Sequence, residues 1–345
     1  MSISFPPDQP EVSIIIPAYN SERYIERCLD AIMGSSYPAC EIIVVDDCST
    51  DGTVEKAREK GAVILHSPQQ SGPAFTRNLG AKHTKGEILL FIDSDIIVKE
   101  DTIKQVLSNF LHFPEIAALF GSYDDDPEER NFVSQYKNLF HHYHHQHAQR
   151  NAITFWAGCG AIRKNIFEEL GGFDQTQYCK PSIEDIELGY RLHKKGYQIL
   201  LDKSLTVKHL KRWDFLSMLR TDIFQRAIPW SQLIVETKFM PKDLNLSVSH
   251  KISSISIFLL LLTSPFAFLG YTKLYELLTI MLLINLIILN RSLYVFFVRN
   301  RGILFAIKAI PFHLLYYLYS GLSFALCWLI HKAFNYIPFA NKSEA

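Results

Sequence analysis

Residues Ile252 to Tyr271 run for twenty positions without a charged side chain. In a hydrocarbon core no solvent can hydrogen-bond the main chain, so such a run must close its own backbone bonds as a helix. Two later stretches read similarly. Leu274 to Asn290 is apolar apart from Glu276 and Asn285, and Pro311 to Ile330 is apolar with one His and many Tyr and Phe. Each approaches the ~20 residues needed to cross a bilayer. The expectation is two or three transmembrane helices over 252–332, the second short enough to be re-entrant, followed by a tail at 333–345.

Charge separates this region from the rest. Residues 251–345 hold 8 Lys/Arg and 2 Asp/Glu, leaving 27 basic and 33 acidic residues for the first 250. A net-acidic front argues against a nucleic-acid partner, which needs a basic face. Lys238, Lys242, His250 and Lys251 precede the first apolar run, and Arg291, Arg299, Arg301 and Lys308 follow the second, whereas the Tyr271-Thr272-Lys273 link carries one cation. The positive-inside bias then predicts a multi-pass protein of the cell membrane, with the front part and a 291–308 loop on the cytosolic side. A third span would put the C-terminus outside, against which Lys332 and Lys342 weigh. The tail at 1–10 has three prolines and no apolar run, so it reads as neither signal peptide nor anchor. Six cysteines make no CxxC pair, which points to neither a disulfide scaffold nor a zinc site.

Residues 11–213 read as an α/β domain. Val12 to Ile16, Glu41 to Val45 and Ile88 to Ile92 are short apolar runs of the buried parallel-strand kind, with Val63 to Leu65 as a further strand. Ile25, Cys28, Leu29 and Ile32 fall at helical spacing between the first two, with Ser21 placed to cap that helix. A charged helix is expected near Val54 to Lys60. This rhythm implies a doubly wound, Rossmann-like sheet whose ligand site lies beyond the carboxyl ends of its strands. No G-x-G-x-x-G follows the first strand, so a dinucleotide fingerprint is missing. Residues 214–251 read as a connecting segment; Phe215 to Trp230 mixes aromatic and aliphatic residues with Arg220 and Arg226 and suits a membrane interface or packing beneath the catalytic domain.

Three strands end in polar residues: Pro17-Ala18-Tyr19-Asn20, Asp46 to Thr53, and Asp93-Ser94-Asp95. Each alone would make an ordinary turn. Together at one sheet edge they suit a nucleotide. If the backbone stays extended, Asp93 and Asp95 point to one side and offer hard oxygen ligands to a divalent ion shared with substrate phosphates. Tyr19 offers a flat face to a base, and Asp47 an acceptor for a base or ribose donor group. Ser182-Ile183-Glu184-Asp185 opens a helical pattern running to Lys195 and reads locally either as a capping box or as an acidic catalytic pair. In the run His141 to His147, the stripe Phe132, Tyr136, Leu139, Phe140 and Tyr143 takes the core face, which leaves most of the histidines to a solvated face rather than to a metal.

The stretches VSIIIPAYN, EIIVVDDCSTDGT, GPAFTRNLG, GEILLFIDSD, WAGCGAIRK, GGFD and IEDIELGYRL, in this order over Val12 to Trp213, resemble the family 2 glycosyltransferases of the GT-A fold. The resemblance implies a membrane-associated, inverting, metal-dependent transfer from a UDP- or GDP-linked sugar to a hydroxyl or phosphate acceptor, lipid-linked or part of a cell-envelope glycan. It implies that Pro17, Tyr19, Asn20, Asp47, Arg77 and Asp93 hold the donor. Asp95 with Asp93 would bind Mn2+ or Mg2+, His209 being a further candidate ligand. It makes Asp185 the general base and Glu184 an acceptor or structural contact. Lys208, Lys211 and Arg212 are candidates to meet the β-phosphate. The Gln-x-x-Arg-Trp motif of processive relatives is replaced by Gln225-Arg226-Ala227-Ile228-Pro229-Trp230, which favours a single transfer. Two rivals remain: a non-catalytic nucleotide-sugar-binding subunit, and a sugar nucleotidylyltransferase, which would need a Gly-rich, Arg-containing loop after the first strand.

Overall fold

The structure is a computed structural model, and it describes residues 11–241, 247–269 and 273–334. The expected tail at 1–10, residues 335–345 of the tail expected at 333–345, Lys242, and the Tyr271-Thr272 part of the link lie outside them, while 333–334 belong to the last helix. The chain divides into two compact units between Arg212 and Trp213.

In the first unit β1 (Val12–Ala18), β2 (Glu41–Asp46), β3 (Val63–His66) and β4 (Ile88–Ile92) are all parallel, in the order β3-β2-β1-β4. They are linked by α1 (Ile25–Met33), α2 (Thr53–Glu59) and α3 (Gly72–Lys82). This is the expected βαβ half. Ile14, Ile15 and Ile16 are all fully buried, as strands covered on both faces require. Ile25, Cys28, Leu29 and Ile32 are the buried face of α1. Ser21 does not cap α1 with its side chain. Its carbonyl accepts from Tyr24 and Ile25, while its hydroxyl bonds Ser94 at 2.8 Å, so the cap is given up to tie the loop after β1 to the Asp93-Ser94-Asp95 turn.

Beyond β4 the sheet becomes mixed. The added strands are β5 (Ile96–Ile97), β6 (Ile116–Tyr123), β7 (Asn151–Ala152), β8 (Cys159–Arg163) and β9 (Gln198–His209). They continue the order as β4-β8-β6-β9-β5, with β7 on β9. Here β8 is antiparallel to β4 and β6, β6 and β9 are parallel, and β5 and β7 are antiparallel to β9. Four helices accompany them: α4 (Thr102–His112), α5 (Phe132–His147), α6 (Lys164–Glu169) and α7 (Glu184–Lys194). The expected doubly wound sheet is therefore half of a larger mixed one.

The histidine tract is not a solvated face. On α5, His144 and His145 are buried with Tyr136, Leu139, Phe140 and Tyr143, and only His147 of the five histidines is exposed. The stripe lies where the spacing put it, but α5 is covered on more than one side. His145 donates through Nδ1 to the Gly121 carbonyl (3.1 Å) and meets Phe120 edge-on, so strand β6 takes up the second face.

The second unit is helical: α8 (Phe215–Arg220), a π-helical turn at Thr221–Ala227, α9 (Ile228–Thr237), α10 (Val248–Phe268), α11 (Lys273–Leu289), α12 (Arg291–Arg301) and α13 (Ile303–Phe334). Asp214 caps α8, accepting the Ser217 N–H at 2.9 Å. The connecting segment packs against α13 within this unit: Tyr319 donates to Asp222 at 2.8 Å, and Phe215 meets Phe312 edge-on at 5.4 Å. Two helices, α10 and α13, are long and apolar enough to cross a membrane, and α11 with α12 makes a third candidate bent by 63° at Asn290. The expected 291–308 loop is thus helix: Arg291–Arg301 is α12, and Ile303 begins α13.

α10 and α11 form an antiparallel hairpin held by neutral polar pairs. Asn285 donates to Ser256 and Asn290 to Ser253, both at 3.1 Å. Tyr317 of α13 donates to Asn290 at 2.7 Å and lies 2.7 Å from the His250 imidazole. Between hydrophobic helices such pairs select which faces meet, because an unpaired polar group there costs more than in water.

Candidate active site

The site is assembled from the carboxyl ends of β1, β2 and β4, the end of β9 and the first turn of α7. Asp47 follows β2 and is 5% exposed. Its two carboxylate oxygens accept the N–H groups of Ser71 and Gly72, each at 2.8 Å, at the start of α3. An acceptor lone pair on each oxygen is all that remains for a ligand. Gly72 has φ +81° and a Cβ there would meet the Cys179 carbonyl at 2.8 Å, so glycine lets the chain before α7 close over this helix start. Asn20, at φ 47°, accepts the Thr50 N–H at 2.8 Å and pins the loop after β1 to the loop after β2. Pro17 pairs with Val45 across the two strands, and the Tyr19 ring stands 45% exposed beside them.

Asp93 and Asp95 do not continue as extended strand. The Ile96 N–H bonds back to the Asp93 carbonyl at 3.2 Å, which makes a turn and sends the two carboxylates to different partners. Asp93 accepts from Arg77 Nη2 at 2.7 Å. Asp95 faces His209, Oδ2 to Nε2 at 3.6 Å. Burial pushes the Asp93 carboxyl above the usual range, with Arg77 opposing. Burial acts on Asp95 too, but His209 outweighs it, with help from Lys211, and holds that carboxyl below its ordinary value.

Arg77, expected at the nucleoside, is 5% exposed and bridges two acids, with Nη2 on Asp93 and Nη1 on Glu184 Oε1 at 2.8 Å. Burial alone would lower its pKa; Asp93, Glu184 and Asp185 more than compensate and keep it charged. Glu184 also accepts the Ser182 N–H at 3.0 Å. Of the two roles left open for Glu184, this geometry serves the structural one. Its neighbour Asp185 accepts the Ala157 N–H through Oδ2 at 3.1 Å. Gly189, one turn further along α7, allows that approach: a Cβ there would meet the Phe155 nitrogen at 2.4 Å.

The three basic candidates separate. Lys208 alternates with His209 along β9 and turns away, bonding the Asp126 carbonyl and its carboxylate (2.9 Å). Arg212 lies 3.9 Å from Glu129. Lys211 is the one whose charge bears on Asp95.

An aspartate oxygen and an imidazole nitrogen facing each other are donors that would suit a divalent metal. Among the described residues no group of three or more His, Cys, Asp or Glu could enclose an ion. A site with so few protein ligands would need waters and substrate phosphates to complete it.

Several contributors were not singled out in the sequence, although Asn78 and Trp156 lie within the stretches GPAFTRNLG and WAGCGAIRK that carry the family resemblance. Asn78 brackets the loop before α7, donating to the Phe173 carbonyl (2.8 Å) and accepting its N–H (2.9 Å). Tyr123 stacks on His209, and Trp156 meets Tyr123 edge-on. The glycine in mid-helix at 189 was the one readable hint of a close approach.

Residues 13–171 match the family model described as Glycosyl transferase family 2. Glycosyltransferase GlyA of Streptococcus pneumoniae is 30% identical over 243 residues, covering 63% of this chain and 33% of its own. The poly(ribitol-phosphate) beta-N-acetylglucosaminyltransferase TarS of Staphylococcus aureus is 40% identical over 99 residues, 27% of this chain and 17% of its own. The chain spans 17–48% of the length of such curated relatives. In three dimensions it is similar to the mannosyltransferase PcManGT from Pyrobaculum calidifontis, solved with GDP-Man and Mn2+. The TM-score is 0.53 at 18% identity, over 96% of this chain and 89% of that one, a likeness of fold.

Proposed function

We propose, from the premise that the chain carries a family 2 glycosyl transferase domain on a GT-A-like mixed sheet, that it moves a sugar from a nucleotide-diphosphate donor to a cell-envelope glycan acceptor with inversion. The observation that carries this reading is the convergence of Asp47, Asp95, His209 and Asp185 on one sheet edge, with Arg77 fixed between Asp93 and Glu184.

Each group then has a task. Asp47, with Tyr19 beside it, receives the nucleoside, and Pro17 and Asn20 shape the loop beneath it. Asp95 and His209 hold Mn2+ or Mg2+, which when bound stabilises negative charge on the departing diphosphate. Lys211 adds positive charge on that side. Arg77 locks Asp93 against Glu184 and so fixes the wall between donor and acceptor. Asp185, oriented by the Ala157 N–H, takes the proton of the acceptor hydroxyl as that oxygen attacks the anomeric carbon from the face opposite the diphosphate. A single displacement of this kind inverts the anomeric centre.

The apolar helices hold the protein in the cell membrane with the sheet on the cytosolic side, which makes a lipid-linked or membrane-proximal acceptor the natural one. Two relatives carry a glycan or polyol-phosphate polymer in their names, a poly(ribitol-phosphate) beta-N-acetylglucosaminyltransferase and a poly-beta-1,6-N-acetyl-D-glucosamine synthase, both of Staphylococcus aureus, which supports an envelope-glycan acceptor. The test is a panel of UDP- and GDP-sugars given to membranes containing the wild-type chain or Asp185→Asn, with the lipid and glycan products read by mass spectrometry. A product made with one donor by wild type alone supports the function. Equal products from both, or none with any donor, count against it.

A further inference from the structure

The histidine tract and two aromatic residues outside the donor motifs meet at the imidazole proposed to hold the metal. Tyr123 ends β6, and its ring lies 4.3 Å from the His209 ring at 18°, a close parallel stack. The other sides of that phenol are taken by Trp156, edge-on at 4.9 Å, and by His141 at 4.7 Å. His141 and Trp156 also touch one another at 5.3 Å, and His145 packs on both. Tyr123 is 9% exposed and His209 6%, so neither ring has room to turn. The backbone contributes as well: Ile96 pairs with His209, and the Leu210 N–H bonds the Asp95 carbonyl at 2.9 Å. Backbone pairing fixes where the histidine Cα sits. It does not fix the plane of the ring, because rotation about χ2 is broad.

We infer that Tyr123, braced by His141 and Trp156, is a positioning residue that sets the plane of the His209 imidazole so that Nε2 points at the Asp95 carboxylate. This rests on the reading of His209 and Asp95 as metal ligands. Two donors must converge within a few tenths of an ångström of their ideal distances to share one ion. Hydrogen-bonded groups that orient a ligating histidine contribute about 10- to 100-fold to metal affinity or activity although they never touch the metal, and a stacked ring is assigned the low end of that range. A flat ring at stacking distance performs that service through its face, so its hydroxyl is dispensable and its aromaticity is not. The tract at 141–147 then has a role that its composition disguised: His141 is a wall of the ring stack, not a ligand.

The test uses the full-length protein in detergent, with Mn2+ titrated by electron paramagnetic resonance in the presence of UDP or GDP in separate arms. Tyr123→Phe should bind Mn2+ as wild type does, and Tyr123→Leu should weaken it by ~10-fold. His141→Leu, which leaves the stacked phenol in place but removes its brace, should weaken it less and in the same direction. In a His209→Ala background, Tyr123→Leu should have no further effect on Mn2+ affinity, while still lowering the melting temperature through its lost contacts to His141 and Trp156, by less than in wild type. A merely structural tyrosine would leave metal affinity unchanged at an equal thermal cost. Wild-type Mn2+ affinity in Tyr123→Leu, with affinity lost in His209→Ala, overturns the positioning role alone. Unchanged affinity in His209→Ala overturns the ligand reading and the inference with it.

Discussion

The two units handle polar groups in opposite ways. In the α/β unit, ionised side chains are gathered at one sheet edge and matched in buried or half-buried pairs, Arg77 with Asp93 and Glu184, and Asp95 with His209. In the apolar helices no Asp or Glu occurs from residue 277 to 343, and the ties named among α10, α11 and α13 are neutral, Asn285 to Ser256, Asn290 to Ser253 and Tyr317 to Asn290, the acid Asp222 that Tyr319 reaches lying in the connecting segment. Charge is kept where a charged ligand would need it. Where lipid would surround the chain, dipoles do the work of specifying contacts, because desolvating an ion there is far costlier than desolvating an amide or hydroxyl.

That contrast can be broken by substitution. The largest effect expected is at Asp95. Asp95→Asn keeps size but removes the ionised oxygen, so Mn2+ should no longer strengthen nucleoside diphosphate binding and transfer should fall to background; titrations with and without metal read this, and metal enhancement equal to wild type would contradict it. Next is Arg77→Leu. It leaves Asp93 and Glu184 without their cation, and breaking a buried pair from one side costs about 3–5 kcal/mol. Thermal unfolding of the full-length protein in detergent should show a large drop, and a change under about 1 kcal/mol would mean that the pair is solvated. Smallest is Asn290→Leu, which severs the bonds to Ser253 and Tyr317. Interhelical hydrogen bonds in membranes are worth about 1 kcal/mol, so a modest loss of stability with transfer retained is expected. A loss as large as that of Arg77→Leu would erase the distinction between the two regions.

A further check concerns the tail as anchor. The full-length chain should stay with membranes through an alkaline carbonate wash, and full release would mean that α10 and α13 do not span.

Legibility in the sequence also divided along physical lines. β1, β2 and β4 were readable as continuous apolar runs, which burial on both faces demands, and α1 as a stripe of period 3.6, which burial on one face demands. The acids at the strand ends were readable as types. Their partners were not. Arg77 reaches Glu184 over 107 positions, and His209 meets Asp95 because the short strand at Ile96–Ile97 pairs antiparallel with the end of a strand over a hundred residues later. No periodicity encodes such a pairing. For the same reason the antiparallel half of the sheet went unread. Ser21 and the histidine tract misled in a common way: local rules gave Ser21 to a helix cap and the histidines to solvent, and tertiary partners, Ser94 for one and Trp156 with strand β6 for the other, claimed them instead.

On the proposed function the acids at the sheet edge divide between structure and chemistry, with Glu184 anchored to Arg77 and Asp185 left to act on the acceptor. Single-turnover transfer rates of Asp185→Asn and Glu184→Gln, with donor affinity and melting temperature measured on the same samples, test it directly. Asp185→Asn should lose ~10²- to 10⁴-fold in rate, the usual contribution of a general base, while keeping donor affinity and stability. Glu184→Gln should keep more of the rate and lose stability. A near-wild-type rate for Asp185→Asn would contradict the account and leave Asp185 a helix-start residue.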